Sequence, residues 1–177
     1  MTNNVLELVR ELRVDALYGK KKHYNAAERK QKYHTYIGIS SLVANILAGS
    51  ILFAFFSNEW SNWGKWIGAL LSLITAAFIA IQTFFNFQKQ VEGHRSIASR
   101  YLVVSKECNR VEAYFIDKHF DPESLREQLE NLSRVCNQIN NDADAFPTSN
   151  TDYRIAQQGL NDGEELYTVS EKQRKGE

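Results

Sequence analysis

The chain has 177 residues, of which 44% are hydrophobic, and its 21 basic and 21 acidic side chains give a formal net charge of zero. This balance lacks the basic excess that nucleic-acid binding requires, so direct nucleic-acid binding is not predicted. The two cysteines, Cys108 and Cys136, show no CxxC or Cys/His spacing, which excludes a zinc-type motif and a disulfide framework.

Residues 1–35 form the first predicted segment. Apolar residues recur at helical spacing over residues 4–18, which predicts an amphipathic helix that ends before Gly19 and the lysines that follow it. A more polar helical stretch from about Tyr24 to Tyr36 comes next. The segment carries eight basic and four acidic side chains, a balance that an anionic cytoplasmic leaflet attracts. The amphipathic helix either lies on the membrane or packs on the protein.

Two uncharged apolar runs follow, 20 residues at 37–56 and 22 residues at 66–87. As helices they would each be about 30 Å long, which is the thickness of the hydrocarbon core of a bilayer. The Leu, Ile, Val and Phe residues of each run contribute about −5 kcal/mol to insertion, enough to offset one polar residue such as Asn45. Residues 36–88 are therefore predicted to form a two-helix transmembrane hairpin in contact with membrane lipid.

The flanking residues predict the orientation of this hairpin. The connector at 57–65 has turn residues and, with the residue after it, holds all three tryptophans, Trp60, Trp63 and Trp66, which are typical of a membrane interface. Lysine and arginine residues precede the first run and follow the second. By the positive-inside rule both termini are cytoplasmic and the connector is extracytoplasmic.

Small residues recur every four positions in both runs. Close approach of helices in a membrane depends on such residues. One stripe is expected to pack within the hairpin and the other to support a homo-oligomer. The stripe in the second run consists of Gly64, Gly68, Ser72, Ala76 and Ala80, and that in the first of Ser40, Ala44 and Ala48.

Polar residues also lie within the runs, where hydrocarbon offers them no hydrogen-bond partner. They either form structural hydrogen bonds or line a water-filled pore, and a pore requires several subunits because two helices cannot enclose a channel. The candidates for pore lining are Ser41, Asn45, Thr75, Gln82 and Asn86.

Residues 89–141 are predicted to form a cytoplasmic helical hairpin. Apolar residues recur at alternating spacings of three and four from His94 to Phe115 and again from Leu125 to Ile139, a pattern typical of coiled-coil-like packing. Asp121, Pro122 and Glu123 mark the start of the second helix. The two helices either pair with each other or with copies in neighbouring subunits. Residues 142–177 are polar and are predicted to form a flexible tail.

No enzyme motif occurs: the chain lacks a glycine-rich phosphate loop, a nucleophile elbow and an HExxH motif. The four histidines are isolated from one another in sequence, so we interpret them as packing or interfacial residues. The sequence therefore predicts an all-α membrane protein that is not an enzyme and needs neither cofactor nor metal.

The layout resembles a known family. An N-terminal amphipathic helix, the tyrosine-rich segment Tyr33-His34-Thr35-Tyr36-Ile37-Gly38, a tight transmembrane hairpin and a helix that begins Glu92-Gly93-His94-Arg95-Ser96-Ile97-Ala98-Ser99-Arg100-Tyr101 together resemble the SLATT family. These are SMODS- and SLOG-associating two-transmembrane effector domains of bacterial conflict systems. The resemblance covers about residues 5–140 and includes the positions His94, Arg95, Ala98 and Tyr101.

The resemblance implies an anti-phage defence effector of the bacterial inner membrane. Such an effector forms a pore or disrupts the membrane when a nucleotide signal, or a sensor or synthase encoded nearby, triggers it. The family has no catalytic residues to carry over, and the four matching positions are candidates for coupling the cytoplasmic part to the membrane helices. The alternative is a membrane-anchored scaffold or sensor that recruits a cytosolic partner through its coiled coil and tail.

Overall fold

The computed structural model describes residues 2–56, 62–117 and 121–165, and these form five helices with no strand among them. The helices are α1 (Thr2–Phe56), α2 (Asn62–Phe85), α3 (Phe87–Ile116), α4 (Pro122–Ala143) and α5 (Asn150–Asn161). The prediction of an all-α protein is confirmed for this part of the chain. Most of the connector, with Trp60, and the end of the predicted tail, residues 166–177, lie outside the described residues.

The length of the helices follows from the placement of proline. The chain has only two prolines, Pro122 and Pro147, so no proline interrupts residues 1–121. Helix α1 is accordingly continuous through Gly19, where the sequence predicted a helix end. Glycine lowers helix propensity by only about 1 kcal/mol, and packing against Tyr101, described below, offsets that cost.

The chain divides into two compact units rather than the four consecutive segments predicted. The bundle unit consists of residues 1–27 and 92–177, and the apolar unit of residues 28–91. The N-terminal amphipathic residues thus pack on helices that follow the second apolar run. Of the two alternatives for this segment, the structure has the one in which it packs on the protein.

The core of the bundle unit is built from the apolar seams of three helices. Val9 and Ala16 of α1 are fully buried, and most of the predicted seam positions of α3 and α4 are buried too, whereas Phe115 and Leu129 are partly buried. The α3 seam contributes Ile97, Tyr101, Val104, Cys108 and Val111, and the α4 seam contributes Leu125, Leu132, Cys136 and Ile139. The spacing of three and four residues therefore predicted these buried faces correctly. The third helix of the packing, α1, comes from the other end of the sequence.

Charged side chains connect the helices around this core. Arg10 of α1 donates from Nε to Glu112 Oε1 of α3 at 2.7 Å, and Arg13 donates from Nη1 to Asn109 Oδ1 at 2.6 Å. Arg100 of α3 donates to Asp142 Oδ2 of α4 at 2.6 Å. Exposed pairs of this kind add little stability, about 0–1 kcal/mol each, and they determine chiefly which faces meet.

The predicted N-terminus of α4 is confirmed atom by atom. Asp121 is the N-cap, and its Oδ1 accepts a hydrogen bond from the Ser124 backbone N–H at 2.7 Å. That hydrogen bond lowers the pKa of the Asp121 carboxyl below its ordinary value, because it stabilises the charged form. Pro122 takes the first helical position, where its missing N–H is not needed.

The prediction of a flexible tail is wrong for residues 150–161, which form α5 within the bundle unit. A capping box begins this helix: Ser149 Oγ accepts the Asp152 backbone N–H at 3.2 Å, and Asp152 Oδ2 accepts the Ser149 N–H at 2.8 Å. Asp152 and Ala156 are buried. The sequence did not predict this helix because the segment contains few large apolar residues. Small residues and capping residues hold the helix in place instead.

Replacing Ser149 with alanine is expected to loosen α5 by about 1 kcal/mol, because the Asp152 N–H and carboxylate both lose a partner. Hydrogen exchange of the α5 amides measures this change. Thr151→Ala, on the exposed side of the same helical turn, is the matched control and should leave the exchange rates unchanged. Equal protection of α5 in wild type and Ser149→Ala would contradict the capping role.

The apolar unit contains the second apolar run. Among the described residues, one helical stretch, Trp66–Ile116, is long and apolar enough to cross a membrane. Its most apolar window has a mean hydropathy of 2.0, and only 11% of that window is buried. A core helix of a soluble protein would be mostly buried, so this stretch is better suited to lipid than to a soluble core. The large apolar side chains of the first run, such as Leu42, Ile46 and Phe53, are exposed as well.

A single residue separates α2 from α3. Asn86 has a φ of 41°, in the left-handed region that asparagine tolerates better than most residues. Its Oδ1 lies 3.4 Å from the Lys89 backbone N, and Gln90 Nε2 donates to Phe85 O at 2.7 Å. Side chains thus replace some of the helical hydrogen bonds at this point, and the second apolar run passes almost without interruption into α3.

Candidate functional site

The packing face between α1 and α2 lies in the apolar unit. A Cβ added to Gly68 would lie 3.2 Å from Ile51 Cγ2, and one added to Gly38 would lie 3.4 Å from Gln82 Nε2. From Gly38 to Ile51 along α1 the contacted residue of α2 changes from Gln82 to Gly68, so the two helices run in opposite directions at these contacts. Gly64 and Gly68 are buried on α2, and Ser41, Ala44 and Ala48 are buried on α1.

The small-residue stripe of α2 does not stay on this face. Gly64 and Gly68 are buried, but Ser72, Ala76 and Ala80 are exposed. An α-helix has 3.6 residues per turn, so a strict four-residue repeat rotates by about 40° at each step and leaves the contact after two steps. The buried positions instead follow alternating steps of four and three: Gly64, Gly68, Leu71, Thr75, Phe78 and Gln82 are buried or half-buried.

The candidate pore-lining residues fall into different environments. Ser41 and Thr75 are buried in the packing face, and Gln82 is half-buried. Asn45 and Asn86 are exposed, and Asn86 helps to form the α2–α3 junction. The structure therefore does not unite the five residues in one site.

Hydrogen bonding separates the polar residues that need a partner from those that do not. Ser50, Ser72 and Thr83 each donate at 2.9 Å to the carbonyl four residues earlier in their own helix. The Asn45 carboxamide has no hydrogen bond to any of the described residues, and neither has the buried Thr75 hydroxyl. In hydrocarbon such a group is costly until it meets another polar group. Asn45, which is exposed, is free to meet one on another chain.

A pair of buried histidines lies in the bundle unit. His23 Nδ1 and His94 Nδ1 are 3.0 Å apart, and each residue is 1% exposed. At that distance one ring nitrogen donates its N–H and the other accepts it. Burial lowers the pKa of His23 to about 4, and the neighbouring His94 and Lys22 act in the same direction, whereas Asp152 opposes them. His94 was singled out in the sequence, but its partner is 71 residues away and no local pattern identifies it.

Tyr101 lies beside this pair, with its ring centroid 6.0 Å from that of His23. Gly19 makes room for it, since a Cβ there would lie 2.8 Å from Tyr101 Cζ. The Tyr101 hydroxyl donates to Asn140 Oδ1, and burial raises its pKa to about 12, so the phenol stays neutral. Of the four coupling candidates, the structure therefore brings His94 and Tyr101 together. Ala98 is fully buried and Arg95 is exposed.

Phe146 completes the cluster and was not predicted. Its ring lies at a centroid distance of 5.8 Å from His94 and directly over Gly93, where no Cβ could be accommodated. Gly19 and Gly93, both inside helices, were the sequence features that could have indicated the close approach of these aromatic rings. An isolated glycine within a helix often marks a close approach of another group.

Two ion pairs attach the turn after α5 to α1. Lys20 Nζ lies 2.6 Å from Glu165 Oε2, with side-chain exposures of 8% and 14%, and Lys21 pairs with Glu164. Asn25 Nδ2 also donates to the Asp152 carbonyl at 3.0 Å. These contacts hold α5 against the lysine-rich part of α1. They also pair the positive charges of Lys20 and Lys21 with carboxylates, whereas the sequence suggested that these charges were available to anionic lipid.

Helices α1 and α3 join the apolar unit to the helical bundle unit, and this arrangement defines the class, an all-helical protein suited to membrane association. A model of the SMODS and SLOG-associating 2TM effector domain family 4 matches residues 5–172, so the chain belongs to this SLATT family. Family membership makes it a membrane effector of conflict and defence systems. Neither a curated protein nor a solved structure matches the chain.

Proposed function

We propose that this chain is the effector of a bacterial anti-phage defence system and forms a gated oligomeric pore in the inner membrane. The apolar runs of α1 and α2 span the membrane as a hairpin, with both termini in the cytoplasm. Several copies assemble around a polar path, and opening of that path depolarises the cell. A nucleotide signal, or a sensor or synthase encoded nearby, provides the trigger.

The observation that carries the proposal is the state of Asn45. This carboxamide lies exposed in the middle of an uncharged run and has no hydrogen bond within the described residues. A span that served only as an anchor would have no use for an unpaired amide at this depth. In an oligomer, Asn45 of neighbouring subunits would either pair with one another or face water.

Coupling to the cytoplasm is proposed to run through the histidine pair. Helices α1 and α3 pass from the bundle unit to the apolar unit after Ala27 and before Glu92, respectively. His23 and His94 join these two helices within five residues of both points. A change in the bundle unit that separates the pair would therefore act directly on the segments that lead into the spans.

The test is depolarisation of bacteria that express the chain with its trigger, measured with a membrane-potential dye. Asn45→Leu is expected to reduce the dye response by about tenfold or more, since the polar path loses its amide. Ser50→Leu is the matched control, because Ser50 is exposed on the same run and its hydroxyl is already satisfied by Ile46 O. It should respond like wild type.

Unchanged membrane potential during growth arrest would overturn the pore. Retained activity after both spans are replaced by an unrelated hairpin would do the same and would favour the scaffold or sensor. Equal loss in Asn45→Leu and Ser50→Leu would show that the amide has no special role.

A further inference from the structure

A cavity of about 380 Å³ opens in the bundle unit and has no role in the function proposed above. It lies between α1, α3, α4 and α5, and its volume is in the range of small-molecule sites. Tyr101, held by Gly19 and Asn140, forms part of the wall. Tyr153 of α5 and Tyr18 of α1 form another part, with ring centroids 5.7 Å apart and an angle of 21° between the rings.

The charged side chains that line the cavity indicate which kind of ligand it binds. Asp15 and Lys22 both line the cavity, and within the part of the chain that the structure describes neither has an ion-pair partner. Lys20 and Lys21, by contrast, pair with Glu165 and Glu164. The cavity therefore presents one carboxylate and one ammonium group, which suit a ligand with a hydrogen-bond donor at one end and a single anionic group at the other.

The two charged residues lie two turns apart on one face of α1. Asp15 and Lys22 are seven residues apart, so their Cα atoms are separated by about 10 Å along the helix. A nucleoside monophosphate has its base edge and its phosphate at opposite ends. Lysine is a common phosphate ligand, and a carboxylate accepts hydrogen bonds from the exocyclic amino group of a base.

The remaining wall residues fit a base. Tyrosine rings provide stacking surfaces for bases. Ser133 and Asn137 offer both donors and acceptors, and Asn140, whose Oδ1 accepts from Tyr101, still has its amide N–H groups to donate. Among the described residues one lysine lines the cavity, which matches one phosphate rather than a polyphosphate.

We propose that this cavity binds a nucleoside monophosphate with an amino-bearing base, with the base edge at Asp15 and the phosphate at Lys22. This inference deepens the proposed function by placing a ligand site for its regulation, and it rests on that function only for its effect on the membrane. Because Tyr153 belongs to α5, occupancy of the cavity bears directly on how α5 packs.

The experiment is isothermal titration of the full-length protein in detergent with CMP, UMP and cytidine. CMP is expected to bind about tenfold more tightly than UMP, which lacks the amino group, and about tenfold more tightly than cytidine, which lacks the phosphate. Asp15→Ala should remove the preference for CMP over UMP. Lys22→Gln should remove the preference for CMP over cytidine.

Glu11→Gln and Lys106→Gln are the matched controls, since both remove an exposed charge outside the cavity lining, and both should bind CMP like wild type. Circular dichroism confirms that each variant is folded. No saturable binding of CMP, AMP or GMP at about 1 mM would overturn the inference, as would binding that Asp15→Ala and Lys22→Gln leave unchanged. Absent binding with intact depolarisation rejects the site alone, whereas binding without depolarisation rejects the pore alone.

Discussion

Gly68→Leu is expected to abolish depolarisation by this effector, with at least a tenfold loss of dye response, whereas Ala69→Leu should leave the response intact. A Cβ at Gly68 already lies 3.2 Å from Ile51 Cγ2, so a leucine side chain has no room between α1 and α2. Overpacking of this kind costs about 1–3 kcal/mol and forces the helices apart. Ala69 is exposed, so added bulk at that position meets no neighbour within the chain.

Two measurements check this expectation. Membrane-potential dye in expressing cells reports activity, and thermal unfolding of the detergent-purified protein reports packing of the helix pair. Gly68→Leu should lower the melting temperature as well as the dye response. A Gly68→Leu protein that depolarises cells as wild type does would contradict close packing of α1 and α2 as a requirement for the proposed function.

Acidification from pH 6.5 to pH 4 is expected to destabilise the bundle unit by about 3 kcal/mol through His23 alone. The pKa of His23 is lowered to about 4 in the folded protein, against an ordinary value of 6.5. Between these values the unfolded chain binds the proton and the folded chain does not. The free energy of unfolding therefore decreases as the pH is lowered. The contribution of His23 is complete above pH 6.5 and is lost progressively as pH falls towards 4.

His23→Gln provides the comparison, because glutamine does not titrate and its amide can pair with His94. Chemical denaturation at pH 7, 6, 5 and 4 should give a shallower loss of stability for His23→Gln than for wild type. His34→Gln is the matched control, since His34 belongs to the apolar unit, and it should follow the wild-type curve. Identical pH dependence in wild type and His23→Gln would contradict the lowered pKa of the buried His23.

The features that were predicted correctly from the sequence depend on interactions between residues that are close together in the chain. The N-cap at Asp121 and the proline after it identify the start of α4, because a cap involves residues only three positions apart. The seams of α3 and α4 follow from spacing, since helical periodicity decides which residues share a face. Cys108 and Cys136 lie on these seams, and burial raises the pKa of both thiols, as expected of core residues.

The predicted small-residue stripe shows where such patterns stop being informative. Residues at intervals of four look aligned in the sequence, yet only Gly64 and Gly68 of the α2 stripe are buried. The partner helix contacts α2 along a line that alternates steps of four and three. Which part of the stripe is used thus depends on the partner, and Ala76 and Ala80 stay exposed on the chain.

The sequence by itself determined the helical class, the two uncharged runs, the family and the buried faces of α3 and α4, because each depends on composition or on spacing within one helix. Only the tertiary structure decided that α1 joins α3 and α4, that α5 packs on α1, and that His23 meets His94. Those contacts link residues 71 to 145 positions apart, and nothing in the local spacing of either partner specifies the other. The histidine pair and the cavity between α1, α3, α4 and α5 are both products of that packing.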